Sequence, residues 1–356
     1  MSESVLNTET NRTDEDKQPI MLISTERSGS NLVRSILNTH PEISAPHPLE
    51  TAYPWQRIVS PGDMSDKRAR KLLRDVLINK NYSFHPLDSP ISVDDVYEEY
   101  EISEQSQGHA LFDVQKSLYN VYAEQEECSA WASKYPALWE FLDDIFDYYE
   151  KPKFVYLVRD VRDVVLSFKT SNVGRYHPYF NAKRWYDEQT KGAELLNRHD
   201  ESVHLLRYKD LLQDPESVVK NICDFLEMEY DERMLYYYET EEAEAASESA
   251  DVFENLTSPI MSDNYDKFHE QLPEEEIKIT EKIAGDILER FGYERTYNED
   301  ELAEFEIDKE KYRKKDKKIT RRWTLKHWRE SPREQIRRQM ARSFSRYMIL
   351  RYGVFG

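Results

Sequence analysis

Ile20-Met21-Leu22-Ile23-Ser24-Thr25-Glu26-Arg27-Ser28-Gly29-Ser30-Asn31-Leu32 is the stretch whose reading decides the fold. Its first four residues form a short apolar run that ends at turn formers, the pattern of a strand buried on both faces. Beyond the polar residues, Leu32, Val33, Ile36 and Leu37 recur at helical spacing until Asn38 and Pro41. The order is strand, polar loop, helix. Such a loop places successive backbone N–H groups at a helix N-terminus, a geometry that binds anions and phosphate above all. Gly29 permits a turn that a Cβ would hinder. Ser28, Ser30 and Asn31 add hydroxyl and amide donors, and Arg27 adds a fixed charge with a fork of donors. No Gly-Lys-Ser/Thr lies nearby, so a kinase or ATPase reading loses its main residues. Taken alone, an ordinary turn explains Arg-Ser-Gly-Ser about as well.

The same grammar returns twice. Phe154-Val155-Tyr156-Leu157-Val158 reads as a strand closed by Arg159-Asp160, and Val161, Val164, Val165 and Phe168 mark the helix after it. Val203 to Arg207 reads as a third strand. Asp214-Pro215, an N-cap and first-turn pair, opens a helix carrying Val218, Val219, Ile222, Phe225 and Leu226. Strands alternating with helices predict an α/β fold with a parallel sheet covered on both faces. Long segments separate the units; they look helical around 66–78 and 137–149 and are where substrate-specific elements are expected. Glu239–Glu254 holds seven acidic residues and no basic one, and reads as a mobile surface loop.

Composition narrows the class. The chain has 356 residues, a net charge of −20, 39% hydrophobic and 33% charged residues, enough for one large decorated domain or two domains. Its 24 Tyr, 14 Phe and 6 Trp exclude global disorder. No apolar run approaches the ~18–20 residues of a membrane span. The polar N-terminus lacks the apolar region of a signal peptide. Two cysteines, Cys128 and Cys223, make neither a disulfide framework nor a four-thiolate zinc site, which favours a reduced, cytoplasmic setting. The charge is uneven: Lys309–Gly356 carries 17 Lys/Arg and 4 Asp/Glu, so the rest of the chain stands at −33. An acidic body of this kind does not bind nucleic acid over its general surface. An anionic ligand needs a local pocket of backbone N–H groups and chosen cations.

Read together, these segments resemble the P-loop-like sulfotransferases, which use 3′-phosphoadenosine 5′-phosphosulfate (PAPS). Ile23 to Leu32, with Leu37 and His40-Pro41-Glu42-Ile43, looks like the family's 5′-phosphosulfate loop. Val158-Arg159-Asp160 through Ser167-Phe168 is similar to its 3′-phosphate motif, an Arg after a strand and a Ser eight residues on. Arg207-Tyr208-Lys209-Asp210-Leu211-Leu212 resembles the tyrosine-bearing segment. Lys116-Ser117 resembles the Lys-Thr/Ser of a Lys-Thr/Ser-Pro pattern, with Leu118 for the Pro. Pro259, Lys267 and Leu272 resemble a late Pro…Lys/Arg-Trp…Leu pattern, with Phe268 for the Trp, and Phe291-Gly292-Tyr293 resembles the closing Leu-Gly-Tyr. The matches run in order over residues 20–295. Glu26 replaces the usual Pro and Asn31 a Thr or Ser; Glu26 is expected to point away or to pair with Arg27.

The resemblance implies a three-layer sandwich around a central parallel sheet, like that of P-loop NTPases, with helical insertions and a basic C-terminal helix. The expected organisation is a disordered acidic leader over 1–18, a sulfotransferase domain over 19–298 and a basic, partly helical tail over 299–356. It implies transfer of a sulfuryl group from PAPS to a hydroxyl of a carbohydrate, lipid or small metabolite, with no metal. Arg27, Ser28, Gly29, Ser30 and Asn31 would hold the 5′ side of the donor. Arg159, Ser167, Tyr208 and Lys267 would hold the 3′ side. Arg27 and Lys116 are the candidate cations at the leaving oxygen, Glu50 the first candidate base and His47 the second. Arg162 reads as a helix-surface residue. The rival readings are a nucleotide-dependent phosphotransferase and a non-catalytic nucleotide-binding module.

The tail has its own pattern. From Pro332, Ile336, Met340, Phe344, Tyr347 and Met348 fall near one face with Arg337, Arg338, Arg342 and Arg346 around them. One reading is peripheral contact with the inner membrane surface; the favoured one is packing on the chain's own acidic body, or a flexible tail.

Overall fold

A computed structural model describes residues 17–47, 66–81, 91–103, 110–171, 174–249 and 255–352. The leader before residue 17 and the candidate base Glu50 lie outside the described residues. Five parallel strands form one sheet: β1 (Gln18–Ser24), β2 (Ile43–Ser44), β3 (Ala130–Lys134), β4 (Lys153–Val158) and β5 (Val203–Arg207). Their spatial order is β2-β3-β1-β4-β5, with β1 at the centre. Register sets Leu22 beside Lys134, Ser24 beside Leu157 and Val158 beside Arg207. Because every strand is parallel, all carboxyl ends lie on one edge, where ligands of open α/β sheets bind.

The helices, in chain order, are α1 (Ser30–Asn38), α2 (Asp66–Asn81), α3 (Val93–Ser103), α4 (Ala110–Gln125), α5 (Leu142–Tyr148), α6 (Val161–Thr170) and α7 (Pro178–Arg198). They continue as α8 (Tyr208–Gln213), α9 (Pro215–Leu226), α10 (Glu241–Ser249), α11 (Phe268–Gln271), α12 (Glu274–Arg290), α13 (Glu299–Glu304), α14 (Lys309–Glu330) and α15 (Pro332–Tyr352).

Alternation along the strands divides the core between the two faces of the sheet. Met21, Ile23, Phe154, Tyr156 and Val158 pack with residues of α2–α7 and α12. Ile20, Leu22, Val155, Leu157 and Leu206 pack with α1, α8 and α9. The result is the expected three-layer α/β arrangement, with β1 and β4 buried on both sides.

Three expectations change. Glu239–Glu254 is not simply a loop: α10 forms within it, and Glu242 bonds Arg34 Nη2 at 2.5 Å and Asn38 Nδ2 at 3.0 Å. Arg34 is fully buried in α1 and needs that carboxylate. Arg162 is interior rather than on a helix surface: it bonds Asp160 and Glu281, both at 2.6 Å, and lies over the Phe268 ring. The tail is neither one helix nor free. α14 and α15 are two helices separated by a break at Ser331, and α14 docks through Tyr312 and Asp316. The buried Asp316 accepts from Arg175 Nε and from the backbone N–H groups of Tyr176 and His177. Trp323 stacks on Tyr176 and Tyr312 on His177.

Candidate active site

The loop after β1 turns through two left-handed residues, Arg27 (φ 71°) and Gly29 (φ 99°). Gly29 is obligatory, because a Cβ there would lie 2.3 Å from Cε2 of Tyr208. The ring of Tyr208, the first residue after β5, thus closes directly over the loop. No side chain caps the N-terminus of α1, so its first-turn N–H groups keep no acceptor from a cap.

Two guanidinium groups meet at this edge. Arg27 Nε donates to Ser167 Oγ at 3.1 Å, which joins the first loop to α6. Arg159, directly after β4, donates through Nη1 to Arg27 O at 3.4 Å and through Nη2 to Asn264 O at 3.1 Å. It also lies over the Tyr208 ring, 4.4 Å from its centroid. Burial, then the charge of Arg159, pulls the pKa of Arg27 down, against a smaller pull upward from Glu26. The pair therefore favours an anion that neutralises both. Ser28 Oγ and Arg159 Nε are buried without a hydrogen-bond partner among the described residues, as a site built for a polyanion leaves them.

The segment around Asn264 completes this side. Asn264 Nδ2 donates to the Tyr208 hydroxyl at 3.0 Å. The N–H groups of Asp266 and Phe268 donate to Asp163 at 2.8 and 3.1 Å, which pins the segment carrying Lys267 to α6. Glu26, the departure from the usual Pro, pairs with Arg184 at 2.6 Å rather than with Arg27. Arg184 also bonds Glu188, which accepts from Thr25 Oγ1 at 2.5 Å. Burial works against the charge of Arg184, but the two carboxylates outweigh it and raise its pKa. The loop's one acidic residue is thereby engaged by α7.

The structure brings Arg27, Ser28, Gly29, Arg159, Ser167 and Tyr208 together, with Ser30 and Asn31 in the first turn of α1 and Lys267 on the adjoining segment. Lys116 instead lies within α4, not in a loop. The lysine at the end of a strand is Lys134, which the sequence reading missed: its Nζ donates to Asn31 Oδ1 at 2.9 Å. The available signal was Lys134-Tyr135-Pro136, which keeps the Lys…Pro spacing just after β3. Asn264 was missed as well, and carries no local signal. His47, buried after β2, has Nε2 3.0 Å from Glu242 Oε1. Burial opposes charge on Glu242, but Arg34 and then His47 pull its carboxyl down to about 2. Among the described residues no group of three or more His, Cys, Asp or Glu is placed to hold a metal ion.

Comparison with known proteins identifies the fold and the family. A "putative protein-tyrosine sulfotransferase" of Caenorhabditis briggsae is 29% identical over 110 residues, 30% of this chain and 39% of that protein. The chain thus spans about two fifths of the length of that curated relative. The sulfotransferase domain from the curacin biosynthetic pathway superposes with a TM-score of 0.54 at 20% identity, covering 78% of this chain and 98% of that one. The sulfotransferase domain of the Synechococcus PCC 7002 olefin synthase gives 0.52 at 21% identity, covering 79% and 97%. These two show the fold. The sulfotransferase family profile matches residues 19–232, which spans β1 to β5 and the loops at their carboxyl ends. By that match, over more than half its length, the chain belongs to the sulfotransferase family.

Proposed function

We propose that this chain moves a sulfuryl group from PAPS to an acceptor hydroxyl of a carbohydrate, lipid or small metabolite. One observation carries the reading: Arg27 and Arg159 converge on the uncapped N-terminus of α1, beside the unpartnered Ser28 Oγ and Arg159 Nε. Such a donor set fits a nucleotide with phosphates at both its 5′ and 3′ positions. The amides of the 28–31 loop and Arg27 would hold the 5′ side. Arg159, Ser167 and Lys267 would hold the 3′ phosphate, with Tyr208 at its edge. Bound there, PAPS supplies the sulfuryl group and a bisphosphate leaving group.

Transfer of this kind rests on positioning and on stabilising charge at the leaving oxygen. Arg27, fixed by Ser167, and Lys134, fixed by Asn31, supply that positive charge. In this reading Lys134 takes the role that sequence alone gave to Lys116. Glu50, or failing it His47, would take the proton of the acceptor hydroxyl. The two buried free thiols, Cys128 and Cys223, suit a reducing cytoplasm. Incubation with sulfur-35-labelled PAPS and cell extract tests the proposal. Label is expected in an acceptor fraction, and Arg159→Ala is expected to abolish it. Intact nucleotide binding with no labelled acceptor in any fraction would instead favour a non-catalytic binding module.

A further inference from the structure

The segment 261–268 is fastened beside the cleft at several points. It starts in a turn, with the Asn264 N–H on Met261 O at 3.2 Å. Asp163 of α6 accepts from the N–H groups of Asp266 and Phe268. Lys209 Nζ meets Asp266 Oδ2 at 2.8 Å, and Gln213 Nε2 donates to the Tyr265 hydroxyl at 3.1 Å, so α8 holds the segment too. Asn264 is therefore carried to the cleft by anchors other than its own side chain. What that side chain adds is one bond, Nδ2 to the Tyr208 hydroxyl at 3.0 Å. Its main-chain oxygen accepts from Arg159 Nη2, and Arg159 lies over the Tyr208 ring. Arg159, Tyr208 and Asn264 thus form a closed triangle.

We propose that Asn264 is a positioning residue for the donor nucleotide, which turns the Tyr208 hydroxyl so that its proton is left for the 3′ phosphate. The inference rests on the PAPS reading above. A phenol oxygen both accepts and donates. Asn264 Nδ2 takes an acceptor position on it, so the proton is directed away from the amide. No group among the described residues accepts that proton, and Tyr208 is buried. A buried donor left without an acceptor is costly; a phosphate oxygen supplies one. Arg159 Nε is left in the same state at the same ring. The triangle therefore spends the inward-facing groups on one another and keeps two donors, one neutral and one charged, for an anion. A simple tether is the weaker role for Asn264, because Asp163, Lys209 and Gln213 already hold its segment.

Calorimetry of the full chain with adenosine 3′,5′-bisphosphate and with adenosine 5′-monophosphate tests this, because the ratio of the two affinities reads the 3′ phosphate. The wild type is expected to prefer the bisphosphate about tenfold or more. Asn264→Leu keeps the main-chain bond to Arg159 but cannot donate to Tyr208. It is expected to weaken the bisphosphate about tenfold and the monophosphate by less than about twofold. Tyr208→Phe is expected to do the same, and adding Asn264→Leu to it is expected to change nothing further. A tether would not produce that non-additivity. Three results would overturn the proposal and leave the donor reading standing: full bisphosphate preference in Asn264→Leu, equal weakening of both nucleotides, or a loss that adds in full to that of Tyr208→Phe. Full preference in Tyr208→Phe would overturn it whether or not the leucine variant folds. A wild type without bisphosphate preference would overturn both readings.

Discussion

Replacing Arg27 by Gly separates the stability of the first loop from its affinity. Arg27 sits at φ 71°, in a left-handed conformation that costs a residue with a Cβ about 1–2 kcal/mol. Glycine relieves that cost. It also gives up the bond to Ser167, about 1 kcal/mol, and adds unfolded-state entropy worth roughly 0.5–1 kcal/mol. These effects nearly cancel, so stability is expected to stay within about 1 kcal/mol, a melting shift of about 2–4 °C. Affinity behaves differently. A lost hydrogen bond to a charged group is worth about 1.5–3 kcal/mol, which weakens adenosine 3′,5′-bisphosphate about 10- to 150-fold. Calorimetric titration and a thermal melt of the same preparation read both quantities. Bisphosphate affinity unchanged in a folded variant would refute the placing of Arg27 on the anion. A large fall in melting temperature would refute the claim that its conformation is strained.

Gly29→Ala adds left-handed strain and drives a Cβ into the Tyr208 ring; with overpacking at about 1–3 kcal/mol, a denaturant melt is expected to show a total loss of about 2–4 kcal/mol. Glu242→Gln leaves Arg34 buried without its carboxylate and is expected to cost about 3 kcal/mol. The Glu242 carboxyl is held at about 2, below its ordinary 4.5, so its stabilisation is complete above pH 4.5 and fades as pH falls toward 2. Melts across that window are expected to slope in the wild type and to lose that part of the slope in the variant. Asp316→Ala removes the acceptor for Arg175, Tyr176 and His177 and is expected to cost about 2–3 kcal/mol. Limited proteolysis ahead of α14, with a change in Trp323 fluorescence, would report the release of α14.

The parts of the fold legible in the sequence were those encoded locally. β1, β4 and β5 were readable because β1 and β4 are unbroken apolar runs and each strand precedes a periodic helix. β2, two residues long, and β3, Ala130-Trp131-Ala132-Ser133-Lys134, carry no such run. Missing β3 hid Lys134 and left Lys116 as the nearest lysine to the motif. The loop residues and Arg159 were legible because a strand end fixes each of them. Asn264 reaches Arg159 and Tyr208 across 105 and 56 residues, and nothing local marks it. Arg34 lacks a local signal in the same way: the carboxylate that pairs with this buried charge in the middle of α1 is Glu242, 208 residues away.

The central claim is that this edge of the sheet is a cleft for a nucleotide carrying both 5′ and 3′ phosphates. Calorimetry of the wild-type chain with adenosine 3′,5′-bisphosphate and, separately, with magnesium-ATP tests it most directly. The account predicts that the bisphosphate binds about tenfold or more tightly than ATP, a difference of about 1.4 kcal/mol or more, and that Arg159→Ala removes the preference. Equal or tighter binding of ATP would contradict the account and return the chain to the phosphotransferase reading.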